Sequence, residues 1–358
     1  MLRPEKPALG GLAPESLEAL LAPLPPFRSR QILTWIYRRV SSFDEMTNLP
    51  KALRSDLAAR FILYSSAVSA CFEDPDGTAK LQITLWDGAR IEAVLLSDGG
   101  GRKTACLSTQ AGCPAGCVFC KTGLLGFRRD LDSAEIVEQF LHLRSKEAEI
   151  ANIVIMGMGE PLLNLEEVRR ALLVFTSPDG LALSPRRITL STCGIAEGIR
   201  ELADKGPPVR LALSLTTADE ALRERLMPLA LTNPLATLKD TLAYYQQRTG
   251  RRLTLEAVLL GGINTRPEDA DALAAFAGGL EAAVNLIPWN PVDGLSFEGR
   301  PLQEPGRREL RTFTAALEKR GLNVTQRFRK GRSIAGACGQ LGVVHTERFV
   351  PRCPVNSR

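Results

Sequence analysis

The sequence predicts an α/β fold, a partial TIM-like (β/α)6 barrel preceded by a small helical domain and a connecting β-hairpin. Three observations predict it. Apolar runs of strand length recur from residue 105 nearly to the C-terminus, separated by helical stretches, the pattern of a parallel sheet with helical crossovers. The segments STQAGCPAGC, GMGEPLLN, STCG, SLTT, LLGG and PWNP each follow directly after a strand. In a barrel those loops share one rim, where active sites are built. Upstream, residues 1–65 carry helical periodicity alone. A flat doubly wound sheet is the competing arrangement.

In the N-terminal region Ile32, Trp35 and Ile36 fall at i, i+3, i+4, and Leu53, Leu57 and Phe61 at i, i+4, i+8. FDEMTNLPK supplies the turn between them, with Pro50 suited to open a helix. The exposed side is expected to carry Arg28, Arg30, Arg38, Arg39, Lys51, Arg54 and Arg60. LQITLWDG and ARIEAVLL then alternate around Asp87-Gly88, a hairpin signal. Strands are expected at 105–108, 152–156, 187–191, 209–214, 253–260, 284–288 and 324–327. Helices are expected at 133–145, 165–175, 196–205, 235–247, 267–280 and 305–320. The resulting division is 1–65 for the helical accessory domain, 66–98 for the hairpin, 99–345 for the barrel and 346–358 for a tail.

The 358 residues are 44% hydrophobic and 24% charged, the balance of a globular chain. No apolar run reaches the ~18 residues of a membrane helix, and the N-terminus lacks the features of a signal peptide. A cytoplasmic, reducing location is the expectation, in which eight cysteines would not pair as structural disulfides. Net charge is +5, and 35 of the 45 cations are Arg. A GC-rich genome accounts for that excess, and so does recognition of phosphates by the two-toothed guanidinium. With two histidines, His142 and His345, a His triad or a His-rich metal site is nearly excluded.

The strongest chemical signal is Cys113-Pro-Ala-Gly-Cys117-Val-Phe-Cys120. Three thiolates on one loop can hold a metal centre. A structural zinc wants a fourth Cys or His nearby, and none follows locally. An open fourth position suits a [4Fe–4S] cluster with one iron left for a ligand, the arrangement of radical S-adenosylmethionine enzymes. One unit later, Gly157-Met158-Gly159-Glu160-Pro161 combines close backbone approach with a carboxylate able to grip an ammonium group. Ser191 and Ser214 end the next two strands, where they would contact ribose or carboxylate, and Asn290 would read an adenine edge. Strand-end capping explains each of these three equally well. Cys106 and Cys338 would both lie near the active rim. Cys71, Cys193 and Cys353 carry no assigned chemistry.

CLSTQAGCPAGCVFCKTGLLGFRRDL, IVIMGMGEPLLN, RRITLSTCGI, NLIPWNP and ACGQL together resemble the RlmN/Cfr family of radical S-adenosylmethionine RNA methyltransferases. FRSRQILTWIYRRVSSFDEMTNLPKALR resembles that family's accessory domain, so the likeness spans roughly residues 25–342. It implies one [4Fe–4S] cluster on Cys113, Cys117 and Cys120, with S-adenosylmethionine bound by Gly159, Glu160, Ser191, Ser214, Thr216 and Asn290. It further implies that Cys338 is methylated and that a 5′-deoxyadenosyl radical takes hydrogen from the S-methyl group. The carbon radical then adds to adenine, and Cys106 releases the product by pairing with Cys338. Glu92 matches the family's proton acceptor; read from pattern alone, it is a solvent-facing charge on an alternating strand.

Two departures stand out: Ser214-Leu215-Thr216 where the family has Ser-Leu-His, and LLGGIN at 259–264 in place of an acidic loop. The implied activity is methylation of adenosine carbon 2 in 23S rRNA and tRNA, with carbon 8 or another RNA as the alternative. The implied partners are those RNAs and an electron donor such as flavodoxin or ferredoxin, with no membrane and a monomeric chain. The run Arg327–Arg332 and the basic helices would hold phosphates. A radical enzyme acting on a peptide would not need both Cys106 and Cys338, and a zinc-holding RNA-binding module would be colourless.

Overall fold

Three proline-initiated helices open the chain: α1 (Pro14–Leu21), α2 (Pro26–Tyr37) and, after Pro50, α3 (Lys51–Arg60). Proline is at home there because its missing N–H would lack an intrahelical partner anyway. The computed structural model describes residues 6–98, 100–326, 330–331 and 333–342. Leu17, Leu21, Ile32, Ile36 and Leu57 are fully buried, as the periodicity requires. Of the expected basic face, Arg30, Arg38, Lys51 and Arg60 are exposed. Arg39 is not part of it. Its guanidinium lies over the Tyr64 ring and within 3.1 Å of His142 Nδ1, because the helices dock on the barrel at that point.

A ten-stranded sheet follows. Its first strands, β1 (Ala67–Glu73), β2 (Ala79–Thr84), β3 (Arg90–Ser97) and β4 (Lys103–Cys106), run antiparallel in sequence order. The expected hairpin is β2–β3, and β1 adds a strand that the alternation did not reveal. Between β4 and the next sheet strand, β5 (Gln110–Gly112) and β6 (Phe127–Asp130) form a separate two-stranded ribbon. The short helix α4 (Lys121–Leu124) lies between its arms.

From β4 onward the sheet is parallel: β7 (Asn152–Ile155), β8 (Ile188–Thr192), β9 (Arg210–Ser214), β10 (Leu253–Leu259) and β11 (Ala282–Pro288) follow in chain order. Those six strands are the expected partial barrel. A small ribbon, β12 (Ser296–Phe297) with β13 (Arg300–Pro301), precedes β14 (Val324–Gln326), a seventh parallel strand. The sheet ends at β1 and β14, so the barrel is open. The crossovers are α5 (Ser133–Arg144), α6 (Leu165–Thr176), α7 (Ala196–Lys205), α8 (Glu220–Leu226), α9 (Leu235–Thr249), α10 (Pro267–Ala277) and α11 (Arg307–Lys319). Only α8 was not anticipated: at seven residues it is too short to show a period. One core cluster extends from Leu9 in the N-terminal region to Leu341, so the accessory helices and the barrel share an interior. Cys71 on β1 is disulfide-bonded, against the expectation that the cysteines would not pair as structural disulfides.

The junction between accessory helices and barrel is polar and buried. Glu138 on α5 accepts from the backbone N–H and hydroxyl of both Ser65 and Ser66, and Ser66 Oγ also meets His142 Nε2 at 2.9 Å. Burial pushes the Glu138 carboxyl up to about 7, against the donors that pull it down. Burial, aided by Arg39, holds the His142 ring down at about 3. The raised acid keeps a proton that the unfolded chain has released, so its contribution to stability grows as pH falls from about 7 to 4.5. The lowered His stays neutral where the unfolded chain is charged, so stability is lost as pH falls from 6.5 towards 3. The two slopes offset each other in the overlap. Glu138→Gln removes the first, so relative to the parent its folding equilibrium should weaken by up to about tenfold per pH unit on acidification from pH 7 to 5. Urea denaturation at several pH values measures this, and a pH-independent difference would contradict it.

Candidate active site

The βα-loops meet at one rim, and two adjoining cavities lie there. The larger, enclosing about 970 Å³, is lined by Cys113, Cys117 and Cys120 together with Gly159, Glu160, Ser191, Ser214, Glu256, Trp289 and Asn290. The second, of about 830 Å³, is lined by Cys106, Cys120, Cys338, Asn290 and Lys330 among others. Cys120, Thr122, Met156, Gly157, Ile287, Asn290, Cys338 and Gly339 face both. The cavities therefore share a wall, and Cys338 is in it.

The cysteine loop is slung between the arms of the β5–β6 ribbon. Cys113 N donates to Gly126 O, Cys120 N to Cys117 O, and Val118 N to Leu226 O at the end of α8. Gly112 has φ 85°, and a Cβ there would stand 1.9 Å from Gly126 O, so no other residue could close this ribbon. Burial pushes the Cys113 thiol up to about 12, with Cys120 and Glu160 adding to the rise, and lifts Cys117 well above its ordinary value. Thiols so placed ionise only when a cation answers them. Cys113, Cys117 and Cys120 sit on one loop and face a single cavity shared with Glu160, Ser191 and Asn290, a three-thiolate set beside ligand-binding groups that fits a [4Fe–4S] cluster with one iron left for a ligand.

Glu160 joins three successive loops. Its backbone N–H donates to Gln110 Oε1 (2.8 Å), while its carboxylate accepts from Leu162 N (3.1 Å) and Cys193 N (2.7 Å). It is buried, and burial raises its carboxyl above the ordinary range despite those donors. No ion pair with it occurs among the described residues, so a bound ammonium group would complete it. Gly159 has φ 103°, with the site of a Cβ only 2.6 Å from Gln110 Cβ, which is why the chain can turn Glu160 inward.

Ser191 and Ser214 lie on adjacent strands with their hydroxyls 3.1 Å apart, and Ser191 donates to Glu256 at 3.3 Å. Glu256 stands in register beside Ser214 and Asn285, and accepts from the latter at 3.3 Å. Sequence reading passed over Glu256, although a carboxylate inside the apolar run LTLEAVLL was its signal. Asn290 donates to Cys338 O at 2.9 Å, and its own Oδ1 is buried with no partner, an acceptor available to a ligand.

Three placements differ from expectation. Thr216 is not in either cavity wall. It has a left-handed φ of 62°, its N–H donates to Glu256 O, and its carbonyl accepts from Asn264 Nδ2, an arrangement that leaves its hydroxyl buried behind the site. Glu92 is not solvent-facing: it is 2% exposed, because β3 is covered on both faces. Cys193, given no chemistry from sequence, faces the triplet's cavity. Behind it the fully buried Arg223 donates to the carbonyls of Cys193 and Leu215, a positive charge next to the thiols. Nothing in the α8 sequence distinguishes this arginine from a surface one. Of the run Arg327–Arg332, only Lys330 and Gly331 fall within the described residues, as does none of 346–358.

The profile of the Radical SAM superfamily matches residues 107–275. That of the ribosomal RNA large subunit methyltransferase N-terminal domain matches residues 8–63. The chain is 51% identical over 337 residues to a probable dual-specificity RNA methyltransferase RlmN of Treponema denticola, covering 94% of this chain and 96% of that one. It is 43% identical over 334 residues to the protein so named in Thermus thermophilus, covering 91% and 92%. The crystal structure of a radical SAM methyltransferase from Sphaerobacter thermophilus superposes with a TM-score of 0.88 at 39% identity, covering 94% of this chain and 99% of that one.

Two expectations follow from the geometry. Gly159→Ala forces a Cβ into Gln110 at a left-handed φ, costing about 2 kcal/mol locally, and should weaken S-adenosylmethionine binding at least tenfold in equilibrium dialysis. Anaerobically purified protein should contain iron and not zinc by metal analysis, and Cys117→Ala should lose that iron.

Proposed function

Since the chain belongs to the RlmN family of radical S-adenosylmethionine RNA methyltransferases, we propose that it methylates carbon 2 of an adenosine in 23S rRNA and in tRNA through a methyl group carried on Cys338. The observation that carries this reading is the position of Cys338 in the wall between the triplet's cavity and the cavity of Cys106. A methyl carrier has to face the methyl source on one side and the acceptor base on the other.

Cys113, Cys117 and Cys120 would hold the [4Fe–4S] cluster. Glu160, Ser191, Ser214 and Asn290 would bind S-adenosylmethionine, with Glu160 on its ammonium group. Bound there, the pair supplies the methyl group and the 5′-deoxyadenosyl radical that the reaction needs. Carbon 2 of adenine is electron-poor and does not attack a sulfonium methyl, so a radical carbon on the Cys338 sulfur supplies what the base lacks. The target adenine would enter the second cavity, between Cys106 on β4 and the turn of Cys338. Once the adduct has lost the carbon-2 proton and its unpaired electron, which the cluster would take back, the Cys106 thiolate would attack the Cys338 sulfur. The carbon–sulfur bond breaks with its electron pair on the methylene carbon, a proton completes the methyl group, and the disulfide must be reduced before the next cycle. Glu92 lines neither cavity, so the proton leaving carbon 2 would need an acceptor other than the carboxylate that the resemblance implied. The Glu92 carboxylate stands behind the turn of Cys338, close enough to bond Gly342 N at 2.6 Å.

Exposed Arg30, Arg38, Lys51 and Arg60 on the accessory helices would meet RNA phosphates, giving binding that weakens steeply with salt. The enzyme would work in the cytoplasm as a monomer with a flavodoxin- or ferredoxin-like donor; no helix among the described residues is long and apolar enough to cross a membrane.

Mass spectrometry of nucleosides from cells with and without the gene tests the reading: 2-methyladenosine should vanish from rRNA and tRNA. Appearance of the loss in 8-methyladenosine instead moves the assignment to carbon 8. Cys338→Ala should abolish methylation, and Cys106→Ala should leave protein covalently bound to RNA. Normal turnover by Cys106→Ala would remove its resolving role.

A further inference from the structure

Lys80 on β2 and Glu92 on β3 form an ion pair, Nζ to Oε1 at 2.9 Å, with side chains 0% and 3% exposed. Neither lines a cavity. A pair buried so deeply gains little stability for its own sake, since desolvation offsets the attraction. Its remaining bonds show what it holds. Lys80 Nζ also donates to Ala335 O at 3.2 Å, and the second carboxylate oxygen of Glu92 accepts from Gly342 N at 2.6 Å. Ala335 and Gly342 bracket the turn that carries Cys338.

We propose that Lys80 and Glu92 form a clamp that positions the Cys338 turn, with Lys80 a positioning residue for the methyl-carrying thiol. The inference rests on the reading of Cys338 given above. Each charge takes one end of the turn, and the attraction between the charges fixes the distance between the ends. The other bonds to the turn come from the opposite side: Lys121 N donates to Gly339 O, Thr122 Oγ1 to Leu341 O and Asn290 Nδ2 to Cys338 O. Those partners sit beside the cluster loop, and Thr122 and Asn290 line both cavities. The clamp comes from the antiparallel strands, and neither of its two side chains lines a cavity. It therefore supplies a fixed reference against which the thiol is aimed. The β1–β2 turn extends the same grip upstream, with Asp76 accepting from Gly331 N and Asp74 from Ser333 N and Oγ.

The test uses cluster-loaded enzyme under anaerobic conditions. Lys80→Met keeps the side chain's length and removes its charge. The double variant Lys80→Met/Glu92→Met also removes the carboxylate that would otherwise be stranded, so it folds even if the single variant does not. Three readouts apply: the rate of iodoacetamide labelling of Cys338 by peptide mapping, hydrogen exchange of amides 335–342, and the kinetics of RNA methylation. In both variants Cys338 labelling should rise at least tenfold and exchange should quicken in 335–342. Methylation kcat should fall at least tenfold with KM for RNA unchanged, and Lys80→Arg should recover part of it. Labelling and exchange equal to the parent's in Lys80→Met would overturn the proposal. So would a loosening that spreads over β1–β3 and disappears in the double variant, because that pattern means the pair serves only the fold. Failure of the methyl-carrier reading is seen separately, as methylation that survives Cys338→Ala.

Discussion

Most of the site depends on one buried carboxylate. Glu160 is reached by the chain only because Gly159 can turn through a left-handed conformation in contact with Gln110, and it then bonds to the loops that follow β4 and β8 as well as its own. Three rim segments that the parallel sheet merely brings near one another are thereby fixed to one residue, one through its backbone N–H and two through its carboxylate. Burying it without a counter-charge is unfavourable, and that cost is balanced only when a cationic ligand arrives. The apo protein is accordingly built around an electrostatic deficit.

The same deficit recurs in the thiols. Cys113, Cys117 and Cys193 are all driven up by burial, with Glu160 and neighbouring thiols adding to the rise, and the buried Arg223 is a cation placed to ease Cys117 and Cys193. A guanidinium held by two backbone carbonyls cannot swing to neutralise a thiolate directly. It makes the local potential more positive, which favours thiolates, while leaving the sulfur lone pairs for metal. Structural and chemical demands are thus met by separate groups: the loops are held by backbone bonds, and the charges are left for cofactors to satisfy.

Local spacing made much of this legible. The cysteine triplet, GMGEP and the strand-end serines are short-range patterns whose chemistry follows from the residues themselves, and the succession of apolar runs gave the barrel. What could not be read depends on partners distant in sequence. Glu92 looked solvent-facing because its strand alternates, and it is buried because residues some 250 positions later lie across it. Arg39 looked like part of a basic surface until α5 supplied His142. Thr216 occupied a motif position, but a left-handed backbone and two backbone hydrogen bonds remove it from the cavity. Motif position identifies a residue's address in the chain, whereas backbone conformation decides which way it faces.

The sheet stops at β1 and β14 without pairing them. Gly331, Ser333, Ala335 and Gly342 are held to the β1–β3 side by Asp76, Asp74, Lys80 and Glu92, a side chain providing one partner of each of these bonds. The wall of the barrel is therefore made of two materials: a ladder of main-chain bonds that cannot yield locally, and one stave fastened by individual side chains. Cys338 is mounted on the stave. On the role proposed for it, the thiol is aimed by individual side chains, so exchanging one of them would alter its aim without breaking a strand.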